Sequence, residues 1–140
     1  MKVLRWLLAL AVAGYGLAGL LPMLATALFK LGLGLGSAGE RAALIMQATA
    51  WWQLIAELGV VVMLGLAAWR LARGRHAFGL ALLAFAANAA LWWILHAMPA
   101  YQLAFTPGEL AADYYSLGGM LALLLAIWLT ERSPSDHAAA

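Results

Sequence analysis

The sequence contains no cysteine, and only 10% of its 140 residues are charged. The absence of cysteine excludes structural disulfides, thiol redox chemistry and cysteine-ligated metal clusters. The scarcity of charge, beside 66% hydrophobic residues, lies far outside the usual range of soluble domains. The composition therefore predicts a membrane protein, and the length is that of a single domain.

Polar interruptions are also rare, which leaves four long apolar runs, at residues 6–29, 43–69, 78–98 and 114–129. At a rise of about 1.5 Å per residue, we expect each run to cross about 30 Å of hydrocarbon as a helix. The period-two alternation of a membrane β-barrel is missing. We predict an all-α membrane protein, a four-helix transmembrane bundle within residues 1–132, and a disordered cytoplasmic tail at residues 133–140.

The first run follows two basic residues and resembles a secretory signal, with Ala25-Thr26-Ala27 as a small-residue cleavage site. The apolar region of a signal peptide is only about 7–15 residues long, so we expect the run to be retained as a helix. Pro22 lies inside it and removes one backbone donor. It therefore predicts a kink that opens space between helices.

The basic residues are concentrated where the predicted helices end. One set of flanks carries Lys2, Arg5, Arg70, Arg73, Arg75 and Arg132, and the other carries Lys30 and Arg41. By the positive-inside rule, we expect the N and C termini to be both cytoplasmic. Because the basic residues do not form one face, the net charge of +2 predicts contact with anionic membrane lipids and no nucleic-acid binding.

Glu57 is the most unusual residue of the second run. A charged side chain at the bilayer centre costs about 2.5–3.5 kcal/mol on insertion scales, so it usually faces a partner or a cavity. Thr49, Gln53 and Glu57 share one helix face, and Asn88, Trp92 and His96 follow the same spacing in the third run. Asn88 lies as far beyond Arg75 as Glu57 lies before Arg70, which places both at similar depth.

These residues predict a cavity that opens outward, with Glu57 and Asn88 as its polar floor. Gln53 and Asn88 would orient a polar head group, Trp92 would belong to an aromatic wall, and Tyr15 lies near the same depth. Lys30 and His96 would form the mouth. The simpler interpretation is that a neutral Glu57 hydrogen-bonds Asn88 or Tyr15 to fix helix packing, and that the tryptophans are interfacial anchors.

Other chemistry is poorly supported. A b-type haem usually needs two axial histidines at matching depth, and His76 and His137 do not match His96. His96 with Glu57 also falls short of a metal site. No serine has a histidine and a carboxylate at helical spacing beside it. We therefore expect no independent catalytic activity.

Three short stretches resemble the DoxX-like family of small four-helix membrane proteins. They are Ala27–Leu31 with Lys30, Leu54–Gly59 with Glu57 and the following Leu64-Gly65, and the helix that carries Ala87, Asn88 and His96. The family is associated with membrane oxidoreductase systems, sulfur and thiol redox, and quinone-linked complexes. The resemblance implies an accessory or quinone-interacting subunit and carries over to Lys30, Glu57 and His96 alone. Pro22 and the absence of cysteine depart from it.

We therefore expect a small protein of the bacterial cytoplasmic (inner) membrane whose polar pocket binds a quinone or a lipid-like molecule. A larger membrane complex or a homo-oligomer is the expected partner. Two alternatives stay open: a ligand-free structural subunit, and a small proton-coupled transporter, for which an intramembrane Glu is the usual coupling residue. No inverted repeat relates the two halves of the sequence, which ranks the transporter last.

Overall fold

The computed structural model describes residues 2–33 and 39–132, and it is helical throughout with no strand in those two ranges. Six helices follow one another: α1 Lys2–Lys30, α2 Glu40–Ala48, α3 Trp51–Ala72, α4 Phe78–His96, α5 Pro99–Ala104 and α6 Pro107–Arg132. Four of them, α1, α3, α4 and α6, are long and apolar enough to cross a membrane. The predicted all-α bundle of four spanning helices is confirmed. The predicted disordered tail lies outside the described residues.

The second span is shorter than the predicted run of residues 43–69, because the helix is interrupted at Thr49 and Ala50, between α2 and α3. Thr49 and Ala50 are extended, with ψ of 124° and 154°. The Gln53 side chain accepts a hydrogen bond from the Ala50 N–H at 2.6 Å, and the Thr49 hydroxyl donates to the Ile45 carbonyl at 2.8 Å. The Gln53 bond satisfies a backbone N–H that the interruption would otherwise leave unpaired, whereas the Ile45 carbonyl also accepts from the Thr49 N–H at 2.9 Å. The expectation of one continuous helix is therefore wrong.

The fourth span begins earlier than residue 114. The Thr106 N–H donates to Glu109 Oε2 at 2.7 Å, and the Glu109 N–H donates back to Thr106 Oγ1 at 3.4 Å. This reciprocal pair is a capping box, and Pro107 occupies the first helical position, where its missing N–H costs no hydrogen bond. The added turns place Asp113 on α6.

The four spanning helices form a ring in which α1 packs on α3, α3 on α4, α4 on α6, and α6 on α1. We call the end that holds Lys2 and Arg132 the terminal end, and the opposite end, with α2 and α5, the loop end. The fully buried side chains Val12, Leu71 and Ile127 belong to the terminal half of the bundle, and Leu64 lies at its upper limit. That half is closely packed.

Close approach of α1 and α3 depends on Gly16. A Cβ atom at this position would lie 3.4 Å from Leu64 Cβ, whereas one at Gly14 would meet nothing within 4 Å. Gly14 and Ala18 are exposed. The small residue that allows the contact is therefore Gly16, since packing in lipid depends on direct contact between helices.

Two further contacts close the terminal end. Gly74, with φ of +68°, ends α3 in the left-handed conformation that glycine adopts without strain, and an Arg5 guanidinium nitrogen lies 3.0 Å from where its Cβ would be. Glu131 Oε1 accepts hydrogen bonds from the Ala77 and Phe78 N–H groups at 2.6 and 3.0 Å. The end of α6 thereby caps the start of α4.

The two short helices cover the loop end, where α2 packs against α5. Ala104 of α5 is buried, as are Thr49 and Gln53 at the break between α2 and α3. Gln53 Nε2 also donates to Met98 Sδ at 3.5 Å. Helices α2 and α5 therefore cover the loop end of the bundle.

Candidate ligand-binding cavity

A cavity of about 270 Å³ lies between α1, α3, α4 and α6 in the half of the bundle nearer the loop end. Helix α1 contributes one face, on which Gly16, Gly19, Pro22, Met23 and Thr26 recur at helical spacing. Its walls are mainly apolar and include Leu54, Val60, Leu64, Leu91 and Leu95. The size is at the low end for small-molecule pockets, which are usually about 300–1,000 Å³.

The side of α1 that faces the cavity is shaped by residues without long side chains. Gly19 has no side chain, and a Cβ there would meet nothing within 4 Å. Thr26 folds its hydroxyl back onto its own helix, where it donates to the Pro22 carbonyl at 2.8 Å. Pro22 therefore does border a space between helices, as predicted, while α1 continues through it from Lys2 to Lys30.

A hydrogen-bonded group closes the cavity toward the terminal half. Asn88 Nδ2 donates to the Tyr15 hydroxyl at 3.2 Å and to Met120 Sδ at 3.3 Å. The Tyr15 hydroxyl lies 3.0 Å from Ser116 Oγ, and its ring meets Phe85 edge-on at 5.4 Å between centroids. Since both hydrogens of the Asn88 amide are engaged, this group links α1, α4 and α6.

Glu57 lines the same cavity but belongs to no such group. Its side chain is half-buried and has no hydrogen-bond partner among the described residues. Asn88 and Tyr15, the two partners that the packing interpretation assigned to it, bond elsewhere. Asn88 Oδ1 likewise has no partner in the described ranges. A carboxyl group and an amide oxygen therefore face the cavity with unused hydrogen-bonding capacity.

The structure brings together four of the seven predicted site residues: Tyr15, Glu57, Asn88 and Trp92 all line the cavity. Gln53 does not, because its amide is used at the break before α3. Lys30 does not either. Its Nζ donates to the Gln47 carbonyl at 3.4 Å and lies 5.9 Å from the centre of the Trp51 ring.

His96 is also absent from the cavity lining, so that Lys30 and His96 do not form its mouth. His96 Nδ1 lies 2.9 Å from the Trp92 carbonyl, and its Nε2 lies 3.1 Å from Asp113 Oδ2. Its ring stacks on Trp92 at 3.7 Å between centroids. The imidazole is therefore held between α4 and α6 and is not available to the cavity.

Asp113 and Tyr101 complete this second polar group. The Tyr101 hydroxyl donates to Asp113 Oδ2 at 2.7 Å, and the Tyr101 ring lies 4.6 Å from His96. Burial, together with the hydrogen bond to Asp113 and its negative charge, raises the pKa of Tyr101 above its usual range. The phenol thus stays protonated and joins α5 to α4 and α6.

Sequence reasoning missed Ser116 as a member of the site. Asp113, Ser116 and Met120 follow the i, i+3, i+7 spacing of one helix face, and all three contact residues on other helices. This signal becomes readable only when the helix starts at Pro107, because a start at residue 114 excludes Asp113.

Among residues 2–33 and 39–132, no group of three or more His, Asp or Glu side chains is placed to hold a metal ion. No protein-family model, no curated protein and no solved structure matches this chain. The function is therefore inferred from the cavity.

Proposed function

We propose that this integral membrane protein binds an amphiphilic molecule, with a polar head group in the cavity beside Glu57 and Asn88. The observation that carries the proposal is the pair of unused polar groups in an apolar cavity of about 270 Å³. Polar groups in a membrane helix without a partner are costly, and they usually mark a site that a ligand completes. A ligand would supply the missing hydrogen bonds.

The two groups together define the head group. A neutral Glu57 carboxyl donates a hydrogen bond to a carbonyl, and Asn88 Oδ1 accepts one from a hydroxyl. A quinone presents a carbonyl that can accept from Glu57, and its reduced quinol presents a hydroxyl that can donate to Asn88. Trp92 supplies an aromatic surface beside either ring. A quinone is therefore the ligand that we propose first, and a lipid with a small polar head group is the second.

The biological setting follows from the sequence. The excess of Lys and Arg at the terminal end favours cytoplasmic N and C termini, and the resemblance of residues around Glu57 and Asn88 to the DoxX-like family favours an accessory role in a membrane oxidoreductase system of the bacterial cytoplasmic membrane. The Arg73 and Arg132 guanidinium groups lie 4.6 and 4.1 Å from the Trp69 and Trp128 rings, an arrangement suited to an interface with anionic lipids.

The test is native mass spectrometry of the protein purified in mild detergent, with solvent extraction of bound molecules. Wild type is compared with Glu57→Gln and with Glu40→Gln, which changes an exposed carboxylate of α2 away from the cavity. We expect a stoichiometric quinone or lipid in wild type and Glu40→Gln, and its depletion in Glu57→Gln. Equal amounts in all three, or none in any, would refute the proposal.

A second candidate function is a structural subunit of a larger membrane complex. It is favoured by α6, where Gly118, Gly119 and Ala122 are exposed and a Cβ at either glycine would meet nothing within 4 Å. Small residues allow close helix packing in lipid. Replacement of Gly118 by Leu would then release a partner that co-purifies with wild type, and unchanged co-purification would count against this role.

A further inference from the structure

The residues that line the cavity differ sharply in exposure. Most of them are buried or half-buried, including every one that α2, α3 and α4 contribute. Three are exposed: Gly19 and Pro22 of α1, and Ser116 of α6. Gly19 and Pro22 share a helix face with the buried Gly16, Met23 and Thr26, so their exposure does not come from the outer face of α1. The cavity therefore reaches the protein surface between α1 and α6.

This opening has a defined lower edge. The Tyr15 hydroxyl and Ser116 Oγ are 3.0 Å apart and join α1 to α6. Toward the terminal end from this contact, the same two helices bury Val12 and Ile127 completely, each with no exposed surface. The gap between α1 and α6 thus begins where the Tyr15–Ser116 contact ends.

Above that edge, the first turns of α6 are held on the opposite side of the bundle. The Tyr114 ring meets Trp92 of α4 at 5.1 Å between centroids, and Asp113 pairs with His96 at 3.1 Å. Both contacts direct this part of α6 toward α4. The gap toward α1 is therefore a consequence of how α6 is anchored.

The opening lies at membrane depth. Gly19 and Pro22 are in the interior of α1 and Ser116 is in the interior of α6, both of which are spanning helices. At the loop end, by contrast, Thr49, Gln53 and Ala104 are buried beneath the contact of α2 with α5. A molecule dissolved in the bilayer can reach the opening directly, while a molecule in water is separated from the cavity by α2 and α5.

We propose that the cavity is entered sideways from the bilayer, through the gap between α1 and α6 bounded by Gly19, Pro22 and Ser116. This inference rests on the proposed function and narrows its ligand to a membrane-dissolved amphiphile. The cavity is too small for a whole lipid or a long-chain quinone. The polar head occupies it beside Glu57, and the apolar chain passes between α1 and α6 into the hydrocarbon.

Two glycines of α1 provide a matched test. A Cβ at Gly19 or Gly14 meets nothing within 4 Å, but only Gly19 lines the cavity. Gly19→Phe, Gly14→Phe and wild type are reconstituted in phosphatidylcholine liposomes and titrated with decylubiquinone, which quenches tryptophan fluorescence. Because the chain has seven tryptophans, the quenching assigned to the cavity is the part that is lost when Trp92 is replaced by Phe. We expect Gly14→Phe to bind like wild type and Gly19→Phe to lose at least tenfold in affinity. Equal binding by the two variants would overturn the sideways entry.

A variant that fails to fold is recognised by its circular dichroism and its elution profile, and Gly19→Ala then takes its place as the smaller change. We expect Gly19→Ala to bind like wild type, since one methyl group leaves the gap open. Loss of binding in Gly19→Ala with an unchanged fold would contradict a gap wide enough for an apolar chain.

A second measurement examines the opening without any ligand. The chain has no cysteine, so Gly19→Cys and Gly14→Cys can each carry a single nitroxide label. In liposomes, collision with oxygen reports exposure to lipid, and collision with a water-soluble nickel chelate reports exposure to water. We expect both labels to be accessible to oxygen and shielded from nickel. Access of nickel to position 19 alone would overturn the sideways entry even if quinone binds. If the label at position 19 is exposed to lipid but wild type binds no quinone, the quinone is rejected as the ligand while the opening toward the bilayer stands.

Discussion

The two halves of the bundle are built from the same four spanning helices but differ in what their side chains contact. In the terminal half, Val12, Ala81 and Ile127 have no exposed surface, and Glu131 ties the end of α6 to the start of α4. In the loop half, the same helices surround a cavity of about 270 Å³ and leave Glu57 without a partner. Since lipid provides no hydrophobic drive for helix association, the contacts of the terminal half hold the bundle together. The loop half is then free to accommodate a ligand.

The largest loss of stability is expected from removal of a buried side chain in the terminal half. Leu71 is 2% exposed, so Leu71→Ala leaves a void in a packed region and costs about 2–5 kcal/mol in the free energy of unfolding. Leu95 lines the cavity and already borders a void. Leu95→Ala should cost less than Leu71→Ala, because a half-buried side chain beside a void has fewer neighbouring atoms to lose. Unfolding in mixed detergent micelles measures both, and equal losses would contradict the difference between the halves.

The contact between α1 and α3 supplies the next largest effect. Gly16→Val forces branched methyl groups against Leu64, whose Cβ lies only 3.4 Å from the position of the first added carbon. Overpacking of this kind costs about 1–3 kcal/mol. Gly14→Val, in open space on the same helix, should change stability by less than about 0.5 kcal/mol. Melting temperatures of the two variants measure this difference. A lower melting temperature for Gly14→Val alone would mean that α1 packs against α3 through Gly14 and not through Gly16.

The smallest effect concerns the polar group at the loop end. Tyr101→Phe removes the hydrogen bond to Asp113 and should cost about 0.5–1.5 kcal/mol at neutral pH. Because the pKa of Tyr101 is higher in the folded protein, its contribution is fully present below the ordinary tyrosine pKa of about 10 and is lost as the pH rises above that value. Wild type should therefore lose more stability than Tyr101→Phe between pH 9 and pH 11. Parallel loss in both proteins would mean that Tyr101 is not held in this bond.

Hydropathy was sufficient to predict the four spanning helices, because each apolar run exceeds what a soluble helix needs. The depth of Glu57, Asn88, Tyr15 and Trp92 also followed from their positions along these runs, and the structure places all four at one cavity. Both predictions depend on local sequence and on the fixed rise of a helix.

The rest depended on contacts between helices, which spacing alone does not reveal. Gln53 lies on the same face as Glu57. The helix is interrupted at Ala50, however, and the Gln53 side chain caps the start of α3 by accepting from the Ala50 N–H. His96 was expected at a mouth of the cavity, yet Asp113, which is remote in sequence, holds it against α6. In each case a polar group found a backbone or side-chain partner that hydropathy does not detect.

Glu57→Leu tests most directly whether the terminal half provides the stability and the loop half binds the ligand. The free energy of unfolding and the amount of extracted amphiphile are measured on the same preparation. Glu57 makes no hydrogen bond to the described part of the chain, so its replacement by an apolar side chain of similar size removes no hydrogen bond. We expect Glu57→Leu to carry no bound amphiphile. After delipidation, we expect its free energy of unfolding to equal or exceed that of wild type. A variant that is destabilised by more than about 1 kcal/mol and retains its amphiphile would contradict both expectations.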